Sequence, residues 1–173
     1  MTNRKIIKII QQTLILVFGF LIALLHPATA ADYENLFTGQ FGSGFHVDDQ
    51  QVVIGDLAYG LEKCKTGNLS PCIKTERFIF YVPREFPSIR IWYKDGASYR
   101  LKSSRPGYWR NTETPIHVIE QSWQGNTRYF AYSREFGVLA IHAGDPVHQI
   151  TLLDACGFAA MPDSRHCSGT LPE

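Results

Sequence analysis

The side chains best suited to proton transfer or metal binding near neutral pH are the imidazoles. Beyond residue 30 these are His46, His117, His142, His148 and His166. No two stand four residues apart, and no His-Glu-x-x-His occurs, so a helical metal pair is excluded. The closest grouping is His142-Ala143-Gly144-Asp145-Pro146-Val147-His148, where a turn would bring two imidazoles and a carboxylate together. The plainer reading is a polar turn between strands. Glu113 and Glu120 flank His117. Carboxylate pairs work through their separation in space, which spacing along a chain does not fix.

Gly42-Ser43-Gly44, with His46 and Asp48 close behind, invites a serine-nucleophile reading. It lacks the Gly-x-Ser-x-Gly pattern of a nucleophile elbow. The stretch Gly39 to Gly44 also lacks the Lys-Ser/Thr that completes a phosphate loop. Alternation of Gly39, Gly42 and Gly44 with Phe37, Phe41 and Phe45 reads as a loop or edge strand. The four cysteines are Cys64, Cys72, Cys156 and Cys167. Their spacings do not match the close pairs of a zinc site, and two disulfides fit better. The local pairs Cys64 with Cys72 and Cys156 with Cys167 are expected, because each brackets turn-rich sequence. Paired thiols leave no cysteine nucleophile. No catalytic residue, metal or cofactor is therefore assigned.

Charge is the strongest local signal. Between Arg90 and Arg110 lie Arg90, Lys94, Arg100, Lys102, Arg105 and Arg110, with Asp95 as the only acid. Aromatic residues interleave with them. We take Arg90, Trp92, Arg100, Lys102, Tyr108 and Trp109 as the expected binding residues, a surface for a protein or an anionic envelope partner. The alternative is an ordinary solvated face whose charges are met elsewhere in the fold.

The first thirty residues read as an address label. Arg4, Lys5 and Lys8 form a basic start, Leu14 to Leu25 an apolar stretch, and Ala28-Thr29-Ala30 a small-x-small cleavage site. Residues 1–30 are expected to be a cleaved signal peptide and 31–173 one β-rich globular domain. Cleavage would remove three cations and take the net charge from +1 to −2, which does not suit a nucleic-acid binder. No stable membrane span is expected after it, and the expected location is periplasmic or secreted. The whole chain is 45% hydrophobic and 19% charged, which excludes disorder, collagen and a coiled coil.

Short turn-bounded runs rich in β-branched and aromatic residues must position these groups. Strands are expected at Gln51–Leu57, Arg77–Val82, Ser88–Tyr93, Ala97–Lys102, Ile116–Trp123, Thr127–Tyr132, Gly137–His142 and Val147–Leu153. Tyr59 to Lys65 and Leu153 to Met161 read as short helical stretches. The fold class is mainly β: a single antiparallel β-sandwich or barrel-like domain, disulfide-stapled, with one or two short helices. In the first basic hairpin, alternation favours a three-residue loop, Lys94-Asp95-Gly96, over a two-residue turn at Asp95-Gly96. That register pairs Ile91 with Tyr99 and puts Arg90, Trp92, Arg100 and Lys102 on one exposed face.

The profile fits a small exported, non-enzymatic binding protein of bacterial type, such as an inhibitor or immunity-type protein that occludes a toxin or an envelope-degrading enzyme. Two other classes are a hydrolase of envelope polymer using His117, His142 or His148 with an acid, and a structural or assembly component of the envelope. Convergence of two histidines and a carboxylate would favour the hydrolase. An unpaired edge strand would favour assembly.

Overall fold

The structure, a computed structural model, describes residues 30–34, 44–62, 64, 70–143 and 149–167. The expected leader, nearly all of the Gly39–Gly44 segment and the His148 end of the His142–His148 turn lie outside the described residues.

Twelve strands are described: β1 Ala31–Glu34, β2 Phe45–Val47, β3 Gln51–Ile54, β4 Leu57–Gly60, β5 Cys72–Lys74, β6 Ile79–Tyr81, β7 Ile91–Lys94, β8 Ala97–Trp109, β9 Thr112–Trp123, β10 Asn126–Ser133, β11 Gly137–His142 and β12 Gln149–Leu152. Ten of them form one antiparallel sheet in the order β4-β3-β2-β1-β12-β11-β10-β9-β8-β7, and β5-β6 form a small second sheet. The mainly β antiparallel expectation therefore holds. The two short helices do not. Tyr59 and Gly60 belong to β4, and 153–161 is a chain of bends and turns. Its backbone bonds go outward instead: Gly157 N–H donates to Phe136 O and Met161 N–H to Arg134 O. In return Phe158 O accepts from Val138 N–H. Amides that serve the connection between β10 and β11 cannot also close helical turns.

Three hairpins turn on pairs of residues with left-handed backbone: Asp95-Gly96 at φ 46° and 79°, Arg110-Asn111 at 44° and 67°, Gln124-Gly125 at 50° and 77°. Positive φ at both central positions is the type I′ turn, whose twist matches that of paired strands. This overturns the three-residue loop expected for the first hairpin. Lys94 pairs with Ala97, Tyr93 with Ser98, Trp92 with Tyr99 and Ile91 with Arg100. The one-residue shift sends Trp92 inward and Ile91 and Tyr93 outward. Alternation misleads here because it sets Ile91 opposite Tyr99 on the core face, whereas the core takes Trp92 at that position.

The inner face of the large sheet closes on β5, β6 and residues 78–86. Phe80 packs on Phe130 at 4.6 Å, Phe158 at 5.6 Å and Tyr132 at 5.8 Å between ring centres. Phe78 meets Phe45, and Phe86 meets Trp92 and Tyr132. The inner segment needs partners for its backbone carbonyls, and sheet side chains supply them. Trp92 Nε1 donates to Tyr81 O at 2.9 Å, and Gln121 Nε2 to Ile79 O at 2.5 Å. Burial of rings and satisfaction of backbone thus fix the same strand order. Both expected disulfides form, Cys64–Cys72 and Cys156–Cys167. They fit an oxidising environment. The second ties the 156–167 segment shut beside Phe158 and Met161, both buried.

Candidate functional site

Strands β8 and β9 outrun their neighbours: β7 pairs only with the first four residues of β8. A bulge between Leu101 and Ser103 bends the ribbon. Its tip folds back to the chain after β12, where Trp109 Nε1 donates to Ala155 O at 3.2 Å and Arg110 Nη2 donates to Leu153 O. The expected binding residues are thus divided. Tyr108 stands 72% exposed on the ribbon beside half-buried Trp109. Arg100 and Lys102 lie nearer the sheet. Arg100 is opposite Glu120, and Lys102 Nζ is 3.1 Å from Glu120 Oε2. Arg90 is exposed, and its side chain has no ion pair among the described residues.

Trp92 leaves the expected surface altogether. It is 6% exposed, and its indole stacks on Tyr99 at 5.4 Å with the planes 3° apart. Arg90 and Arg100 no longer share a face, because Arg100 faces Ile91 on one side and Glu120 on the other. In place of Trp92 the outer side of β7 carries Ile91, 53% exposed, and Tyr93, 74% exposed, with Ile89 just before the strand. The sequence signal for these was Asp95-Gly96, the residue pair that demands a two-residue turn.

The register builds a row across the outer face: Ile91, Arg100, Glu120, Tyr129, His142 and Gln149, one from each strand β7 to β12. The Lys102 ammonium holds the Glu120 carboxyl below the usual carboxylate range, with help from the Tyr129 hydroxyl and the Arg100 charge. Beside this row Val118, Ala131 and Ala140 floor a shallow groove of about 480 Å³ walled by Tyr129, His142 and Gln149. The His142 ring lies 6.0 Å from that of Tyr129, and its buried Nε2 has no hydrogen-bond partner among the described residues.

The other histidines do not join it. His117 pairs in register with Tyr132 on the inner face and meets the Phe86 ring edge-on at 4.8 Å. Burial, reinforced by the Arg134 charge, lowers its pKa and so favours the neutral ring. His166 stacks on Phe136 at 5.0 Å. His46 sits between Asp32 at 2.5 Å and Asp48 at 3.4 Å. Burial alone would lower the His46 pKa, but bonds to Asp32 and Asp48 outweigh it and raise it. His117 and His142 therefore face opposite sides of one sheet. Glu113 belongs to the ribbon opposite Tyr108, away from the Glu120 row. No family model, curated protein or solved structure matches this chain.

Proposed function

We propose that the chain is an exported, non-enzymatic binding protein that occludes a protein partner, acting in the periplasm or outside the cell. One observation carries this reading: the outer side of β7 holds Ile91 and Tyr93 largely exposed, with Arg100 opposite Ile91 on the same face and exposed Arg90 at the edge on the other. Large apolar and aromatic anchors rimmed by arginine are the composition of protein contact surfaces. Tyr93, 74% exposed, and Ile91, 53% exposed, form an adjacent apolar pair on one face, the start of a contiguous patch of the kind that marks contact surfaces. The two disulfides support the oxidising compartment. The hydrolase reading needs two histidines and a carboxylate in one cleft; the opposed positions of His117 and His142 weigh against it, and His148 lies outside the described residues. The open β7 edge suits an assembly component as well, and the exposed Ile91 and Tyr93 favour a partner that is occluded.

The test is differential capture from envelope and culture fractions. The intact protein should retain a partner in near-equal molar amount. An Ile91→Asp, Tyr93→Asp double variant with an unchanged melting temperature should not retain it. Retention of the same proteins by both forms would remove this surface from the account.

A further inference from the structure

The open edge of β7 has a pattern beyond its exposed side chains. A two-residue turn makes Lys94 and Ala97 a hydrogen-bonded pair, and such pairs alternate along an antiparallel ladder. Trp92 with Tyr99 is the next bonded pair, then Arg90 with Leu101, whose N–H donates to Arg90 O at 2.8 Å. The backbone groups of Ile91 and Tyr93 consequently point away from β8, toward the open edge. β7 is the last strand of the sheet, and no backbone bond reaches those groups among the described residues.

We propose that β7 is a docking edge on which an extended acidic segment of the partner adds a further strand to the ten-stranded sheet. This rests on the binding reading above and names the partner's chemistry. The incoming strand's side chains alternate like those of β7. Those on the outer face meet Ile91 and Tyr93 and are apolar. Those on the other face meet exposed Arg90 and are acidic, while Lys94 stays over the Tyr81 ring. Lys94 already lies 3.9 Å from Asp95, so Arg90, which has no ion pair among the described residues, selects the charge. A second copy of this chain fits poorly: antiparallel self-pairing centred on Trp92 would set Arg90 of each copy against Lys94 of the other.

The experiment follows amide hydrogen exchange by NMR on protein purified after expression of the full chain. The probes are two capped eight-residue peptides, one alternating glutamate with valine and one alternating lysine with valine. Alone, the Ile91 and Tyr93 amides exchange rapidly. Saturating acidic peptide should slow both by about tenfold or more, and the lysine peptide should not. Arg90→Glu should reverse that preference. Tyr93→Pro should abolish protection, because it deletes an edge donor without touching the β7–β8 ladder. If that variant does not fold, Arg90→Glu decides alone. Equal protection by both peptides, or by neither, overturns the proposal: the basic edge then serves only to block strand addition. Protection that rises with protein concentration in the absence of peptide overturns it in favour of a second copy. If a captured partner is lost in the Ile91, Tyr93 double variant but leaves both edge amides fast in the complex, the binding reading stands and strand addition falls.

Discussion

Trp92 and Tyr93 are neighbours in sequence and opposites in environment: one stacks in the core at 6% exposure, the other stands at 74%. The same division runs across the whole sheet. On the inner face rings pack ring to ring, and Trp92, Gln121, Tyr132 and Tyr33 each donate to a backbone carbonyl of a distant segment. On the outer face the polar row from Arg100 to Gln149 is exposed or half-covered, and Glu120 within it is held by a side-chain ion pair with Lys102. The inner face spends its chemistry on holding 71–87 and 156–161 in place. Residues that the fold does not need are on the other side, which is where a partner would find them.

The comparison breaks most visibly at glycines. A Cβ on Gly157 would lie 2.0 Å from Val138 O, and one on Gly137 would lie 2.3 Å from Phe158 O at φ 76°. Both obstacles are backbone, so neither can swing aside. Gly157→Ala and Gly137→Ala should each cost more than about 4 kcal/mol, read as loss of a cooperative melt. Gly96 and Gly125 also have positive φ but open space around them. Alanine there should cost only about 1 kcal/mol. Equal effects at Gly157 and Gly125 would mean that the inner closure is not tight.

Aromatic truncation follows. Phe80 touches rings from β8, β10 and the C-terminal segment, and Phe80→Ala should cost about 3–5 kcal/mol in urea melts. Tyr93→Ala should stay within about 0.5 kcal/mol. If Tyr93→Ala destabilised as Phe80→Ala does, the outer edge would be core and its binding role would go. Next comes the disulfide pair. Cys156→Ser with Cys167→Ser should lose about 2–4 kcal/mol, because the bridge closes the segment carrying Phe158 and Met161.

Local chemistry was legible in the sequence, and long-range placement was not. The disulfide pairs followed from turn-rich spacers, and strands such as Gly137–His142 from unbroken apolar runs. Strands β1, β2 and β5 escaped because three or four residues carry too little alternation to stand out. Composition makes Gln51–Leu57 one expected strand, but Gly55, at φ 62°, breaks it into β3 and β4. Of the candidate site, Arg90, Arg100, Lys102 and Tyr108 are exposed as expected, while Trp92 is buried. In this hairpin side-chain alternation and turn type conflict, and turn type prevails. Asp-Gly fixes the register through backbone torsion, whereas alternation cannot tell which aromatic a distant hairpin will cover.

The smallest expected effect sets the two faces against each other through pH. His117 is buried on the inner face, and its pKa is lowered from 6.5. As pH falls below that ordinary value, the unfolded chain takes up a proton that folded His117 resists, so its contribution to stability is lost on the acid side. His46 sits on the outer side between Asp32 and Asp48, and its pKa is raised from 6.5. Its contribution is full below the unfolded value and disappears as pH rises through the raised folded one. Melting temperatures measured above pH ~5, where carboxylates remain ionised, isolate the pair. His117→Gln should flatten the decline toward pH ~5, and His46→Gln should flatten the decline above pH ~6.5. The His46 effect should be the weaker one and should shrink with added salt, because Asp32 is open to solvent and water screens the pair. Shifts of the same sign in both variants would show that one of these imidazoles lies in a different environment, and the opposition of inner and outer faces would fail at that residue.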